Sequence, residues 1–233
     1  MDDARYEKLA AATGIPFVVL TLGSAFVVPN TPPKIDDPIQ KVGRFFGEHH
    51  SGLIWAGWLG IIGALFGLWF IGTVAHWVRR QGQPRLATIA FAGGVVGTAV
   101  ATVGGLLSTG LAYLATAPDD IGAPVARALF DLGNLAFVFL WIPIAVLVAA
   151  VSMAAQRTNA LPQWLWTGGA IYAVIAVVAS TGMFAHSGAF APGGFIQLIV
   201  FLLFAVWALS LSIVLSRKAG MAATSAAAPV PTT

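Results

Sequence analysis

The chain has 233 residues, 58% hydrophobic and only 9% charged, with a mean hydropathy of +0.85. A soluble domain carries nearer a quarter charged residues, so that class is excluded. The net charge of +3 comes from Lys and Arg in loops and at the ends of apolar runs, and no basic stripe points to nucleic acid. With no cysteine, disulfide frameworks, thiolate metal sites and iron–sulfur clusters are excluded as well.

Apolar runs long enough to cross a hydrocarbon core of about 30 Å recur along the chain. In lipid each backbone amide must be bonded internally, and strand-period alternation is absent, so the runs read as helices. The expected fold class is an all-α integral membrane protein. Its six transmembrane helices fall at about 10–28, 53–78, 86–116, 125–155, 164–184 and 195–215. At the N-terminus, Arg5 and Lys8 are diluted by Asp2, Asp3 and Glu7, and the apolar run is too long for a cleaved signal peptide. A retained helix beginning near Gly14-Ile15-Pro16 is expected, with the proline in its first turn.

Pro29, Pro32 and Pro33 then hold the chain extended. Asp37-Pro38 reads as an N-cap followed by a first-turn proline. Ile39, Val42, Phe45, Phe46 and His49 recur at helical spacing against Gln40, Lys41 and Arg44. This pattern predicts a short amphipathic helix in the outer loop between helices 1 and 2, lying in the membrane interface. Span two contains Gly63 and Gly67, whose spacing permits close helix approach, and ends at the aromatic and basic boundary His76-Trp77-Val78-Arg79-Arg80.

In span three, Gly94, Thr98, Ala101, Gly105 and Thr109 make one side nearly smooth, which predicts a central position. A loop with Asp119 and Asp120 leads to span four, which carries Arg127, Asp131 and Asn134 in its opening turns. Pro143 should kink that helix and release the carbonyl of Phe139. Span five ends near His186, and span six is closed by Arg217 and Lys218. Residues 219–233 are rich in Ala, Pro and Thr and are expected to form a disordered cytoplasmic tail.

Six spans put both termini on one side of the membrane. Eight of the twelve Lys and Arg fall on that side, so the positive-inside rule makes both termini cytoplasmic. The opposite, outer face then gathers the polar residues that merit scrutiny. Glu48, His49 and His50 precede span two, Tyr113 ends span three, Asp131 and Asn134 open span four, His186 follows span five, and Gln197 starts span six. An aspartate near lipid is costly unless it faces the bundle and has a partner, so Asp131 is the strongest pointer. Arg127, His49, His50 and His186 are its candidate partners.

Three chemistries fit this set. His49, His50 and His186 with a carboxylate suit a divalent metal. A span-two histidine with His186 suits axial ligation of a b-type haem. The same cluster also suits the polar end of a site that binds or passes a small molecule or ion. Each histidine has a plain alternative as an interfacial residue, and His76 reads as an anchor at the cytoplasmic edge. Adjacent histidines on one helix point about 100° apart, so only one of His49 and His50 is expected to face the bundle. No nucleophile–base arrangement argues for an enzyme.

The chain also resembles a group of uncharacterised multi-pass bacterial membrane proteins of the domain-of-unknown-function type. The resemblance runs through an outer-face histidine, Leu68-Trp69-Phe70-Ile71-Gly72, Phe91-Ala92-Gly93-Gly94, Leu129-Phe130-Asp131-Leu132-Gly133-Asn134, Leu161-Pro162-Gln163-Trp164 and Gly188-Ala189-Phe190-Ala191-Pro192-Gly193-Gly194, and covers roughly residues 45–216. It implies a six-helix fold in a bacterial inner membrane and no reaction, ligand or catalytic residue. The leading expectation is therefore a non-enzymatic protein that binds or passes a small molecule or ion near its outer face. The alternatives are an accessory subunit packing against a larger membrane complex and a haem- or metal-binding protein. The expected partners are the lipid bilayer and another membrane protein or a second copy, with no nucleic acid.

Overall fold

The computed structural model describes residues 3–28, 32–116 and 122–226, and the regular structure among them is entirely helical. Pro29, Asp119, Asp120 and 227–233 lie outside the described residues. The helices are α1 (Asp3–Ala12), α2 (Gly14–Phe26), α3 (Ile39–Glu48), α4 (His50–Arg80), α5 (Pro84–Leu114), α6 (Ala123–Phe139), α7 (Trp141–Thr158), α8 (Gln163–Ser180) and α9 (Phe195–Ala226). A 3₁₀ turn, Thr181–Phe184, extends α8. Six segments are long and apolar enough to cross a membrane: Arg5–Phe26, His50–Arg80, Pro84–Leu114, Ala123–Thr158, Gln163–Phe184 and Phe195–Gly220.

Two of these segments are broken, each for a visible reason. The first starts well before Gly14, because Ala10-Ala11-Ala12 favours helix, and is interrupted at Thr13, whose Oγ1 donates to the Ala10 carbonyl at 2.6 Å. The Ala11 carbonyl at this break accepts from the buried Ser212 Oγ at 2.7 Å, fastening α9 to the α1–α2 joint. A Cβ on Gly14 would lie 2.7 Å from the Ser212 Cβ, so only glycine fits beneath that bond. The second break is at Leu140, between α6 and α7. Pro143 has no N–H to offer the Phe139 carbonyl, and the helix is interrupted one residue beyond that carbonyl.

Small residues set the packing. A Cβ on Gly93 would come within 2.7 Å of the Pro143 carbonyl and 2.8 Å of the Leu147 amide nitrogen, so α5 and α7 touch backbone to backbone. Gly94 admits Ile71 of α4, Gly97 admits Ile144 of α7, and Gly104 faces Ala136 of α6. The nearly smooth helix α5 thus packs against α4, α6 and α7 of its own chain, with Phe91, Val96, Val103 and Leu106 facing outward. Gly63 and Gly67 face Thr21 and Phe17 of α2. The main core joins α4, α5, α7, α8 and α9 around the fully buried Trp141, Val148 and Val151. A smaller cluster of Val42, Phe46, Leu111, Ala112 and Phe130 seats α3 against α5 and α6.

At the C-terminus the helix departs from the expected disorder from 219 onward. α9 continues to Ala226, through an alanine-rich stretch with no proline before Pro229. The glycine contacts yield a paired prediction. Gly93→Ala should destabilise the protein by about 1–3 kcal/mol through overpacking. Gly60→Ala, where nothing lies within 4 Å of the new Cβ, should be neutral or stabilising by up to about 1 kcal/mol. Melting temperatures in detergent would check both, and equal effects would refute the packing account.

Candidate functional site

The polar end of the bundle is built on α3. Its buried face, Val42 and Phe46, recurs at i and i+4, and the Phe46 ring meets Phe130 of α6 edge-on at 6.1 Å. The helix ends at His49, whose ring stacks on Phe45 at 4.8 Å with Nδ1 3.0 Å from the Phe45 carbonyl. His50 opens α4 with Nδ1 3.0 Å from the Gly47 carbonyl and Nε2 3.0 Å from Ser51 Oγ. A carbonyl only accepts, so Nδ1 carries the proton there, and Nε2 of the neutral ring accepts from the serine hydroxyl. Glu48 is exposed. Both imidazoles are thus turned to their own helix ends.

Arg127 on the first turns of α6 organises the next layer. Its Nε donates to Asp131 Oδ2 at 2.9 Å, one helical turn on. Its Nη1 donates to the Asp37 carbonyl at 3.0 Å, and its Nη2 donates to the Ile35 carbonyl. One guanidinium therefore ties α6 to the segment that leads into α3, using the several donors of its planar fork. Asp37 secures the same segment from the other side, accepting the Lys34 amide and Lys41 Nζ, each at 2.8 Å. The bond from Lys41, and then the one from the Lys34 backbone, hold the Asp37 carboxyl below its usual range. Its support is therefore present above the ordinary carboxylate pKa and fades as pH falls below it.

Asp131 is only half answered. Oδ2 has Arg127, whereas Oδ1 is a buried oxygen with no hydrogen-bond partner. The two side chains are each 34% exposed, so the pair sits at the border between bundle and surroundings. Asn134, one face with Asp131, donates Nδ2 to the Phe130 carbonyl at 2.9 Å. Its Oδ1 faces the α8–α9 connection so closely that a Cβ on Gly193 would lie 2.7 Å away. Gly193 also has φ +75°, a second reason for glycine there.

Gln197 is 3% exposed and fully engaged inside the chain. Its Oε1 accepts from the Trp141 indole Nε1, and its Nε2 donates to the Ala179 carbonyl at 3.2 Å and the Phe190 carbonyl at 3.1 Å. It pins α7, the end of α8 and the following loop to α9. Trp141 belongs to this set, although nothing in the sequence sets it apart from the other tryptophans. A lone buried glutamine needing partners was the signal available. Tyr113 and His186 are exposed and stand outside these contacts.

The structure thus brings together Arg127, Asp131 and the 35–37 segment on one side, and Asn134 with the Gly193 loop beside them. Among the described residues no group of three His, Asp or Glu is placed to hold a metal ion, so His49, His50 and His186 do not converge. His186 is exposed, and His50 is engaged with the Gly47 carbonyl and Ser51. A further polar set, unremarked in the sequence, lies deeper. Ser152 Oγ and Trp207 Nε1 both crowd the open side of Gly169, and each is buried without a partner.

Comparison with protein-family models, curated proteins and solved structures finds no match for this chain.

Two substitutions separate the two clamps. Arg127→Gln should free the 32–38 segment and cost on the order of 1 kcal/mol, modest because the side chain is a third exposed. Trypsin should then cut at Lys34 and Lys41 faster than in the parent; unchanged cutting would count against the clamp. Gln197→Leu should strand the Trp141 N–H and lower stability by about 1–3 kcal/mol. Adding Trp141→Phe to that variant should recover part of the loss, and additive losses would argue against the bond.

Proposed function

We propose that this chain is a bacterial inner-membrane protein that binds or passes a small molecule or ion at the bundle end carrying Asp131. In this reading both termini are cytoplasmic, α3 lies along the outer interface, and Asp131 sits near the outer face. The distribution of Lys and Arg supports the orientation, since the end bearing Arg79, Arg80, Arg157, Arg217 and Lys218 is the richer in positive charge. The polar face of α3, with Lys41 and Arg44 opposite Val42 and Phe46, supports the interfacial placement.

The observation that carries the reading is the bare Oδ1 of Asp131. A buried carboxylate oxygen without a donor is unfavourable by about 1–3 kcal/mol, and near lipid the demand for a partner is stronger. A cation, an ammonium group or a hydroxyl supplied by a bound molecule would satisfy it, while Arg127 holds the carboxyl group in place. Asn134, on the same helical face, is the nearest second contact for such a ligand. The accessory-subunit reading draws on the smooth face of α5 and on Gly63 and Gly67; Gly63, Gly67 and Gly94 pack within the chain, whereas a Cβ on Gly105 of that face would meet nothing within 4 Å.

Absorbance and elemental analysis of the purified protein would separate haem, metal and neither in a single preparation. Cation and small-amine titrations followed by thermal shift, with flux measured in proteoliposomes, then test the site. Asp131→Asn should abolish ligand-dependent stabilisation or flux while the protein still folds. If Asp131→Asn combined with His186→Ala alters neither quantity, the reading is wrong.

A further inference from the structure

Along α7 and α8, from the level of Ile142 to that of Gln156, lies an open groove of about 490 Å³. Its floor includes the small buried residues Ala145 and Ala173, and its walls include Ala170, Met153 and Val174. Along α7 it runs from Ile142 to Gln156, about 20 Å at 1.5 Å per residue. One leaflet of a hydrocarbon core is about 15 Å deep. The groove therefore accepts an elongated apolar chain lying parallel to the helices, and a compact solute would leave most of it unfilled.

Its mouth differs in chemistry from its length. Gln156 and Trp166 line that end, and Arg157 follows Gln156 in the last turn of α7, exposed. Lys218 of α9 reaches over the same turn, donating Nζ to the Ala160 carbonyl. Residues 132–233 contain Arg157, Arg217 and Lys218 and neither Asp nor Glu. The nearest described carboxylate at that end of the chain, Glu7, is taken by Arg80. A tryptophan at headgroup depth beside two cations is the pattern of an interfacial lipid contact.

We infer that the α7–α8 groove is a binding site for one anionic phospholipid, with an acyl chain along the alanine floor and the phosphate at Arg157 and Lys218. Charge complementarity selects the headgroup, and the length of the groove selects the chain. The site is distinct from the Asp131 end and stands whether or not that end binds a ligand.

Native mass spectrometry of the full chain in detergent, titrated with dioleoyl phosphatidylglycerol or dioleoyl phosphatidylcholine, tests this directly. One phosphatidylglycerol should bind tighter than phosphatidylcholine, with each basic residue contributing roughly fivefold. Arg157→Gln with Lys218→Gln should reduce it to the phosphatidylcholine level. Ala170→Trp, which fills the groove from its exposed side, should abolish binding of both lipids. Val174→Trp, at a position already 65% exposed, provides a second filler should the first fold poorly. Val103→Trp, on the outward face of α5, should change nothing. Equal affinity of the two lipids for the parent chain, or retained binding in both fillers, would mean ordinary surrounding lipid only and would overturn the inference.

Discussion

Gly93 lets α5 press against the Pro143 carbonyl and the Leu147 amide, and the shape of the polar end follows from that contact. Proline removes one helical hydrogen bond, the fourth span breaks at Leu140, and α6 leaves α7 as a separate helix. Trp141 stands immediately after the break and is fully buried. Its indole N–H has no helical partner to use, so it reaches Gln197 on α9. Gln197 in turn holds the carbonyls of Ala179 and Phe190, which draws the α8–α9 loop over Asn134. A missing N–H at Pro143 is thereby linked, bond by bond, to the wall beside Asp131.

The other wall depends on charge. Arg127 satisfies three acceptors on two elements, and lysine in its place would offer a point charge without the fork. That arrangement leaves Asp131 incompletely paired. Asp37, in the same region, meets both of its donors, the Lys34 amide and the Lys41 ammonium, through a single oxygen, Oδ2. What marks Asp131 as the residue with capacity to spare is that its second oxygen, Oδ1, is buried with no donor.

The spans were legible because lipid leaves the chain few choices: long apolar runs must be helices, and a pair such as Gly63 and Gly67 permits close approach of a neighbour. The kink at Pro143 was legible for the same covalent reason. Gln197 was not, because an amide next to an apolar run looks the same whether it awaits a ligand or holds three backbone and indole groups. The adjacent histidines misled in a related way. Position along the chain put them at the right end, but the break at His49 turns each ring toward a carbonyl of its own helix end. The alanine-rich tail was read by composition, whereas local helix propensity carries α9 to Ala226.

The two ends of the bundle carry opposite chemistry, and this follows from where the carboxylates lie. Asp36, Asp37, Glu48 and Asp131 all belong to the end capped by α3, where Lys41 and Arg127 are committed to Asp37, Asp131 and backbone carbonyls. At the other end the described cations have Glu7 as a partner for Arg80, leaving Arg157 and Lys218 with backbone or solvent alone. An end whose anions are in excess of its uncommitted cations favours a positive or proton-donating guest. An end with the reverse balance favours a negative headgroup. A long apolar bundle separates the two, so the charge imbalance at each end is answered locally, and each answer can be removed without disturbing the other.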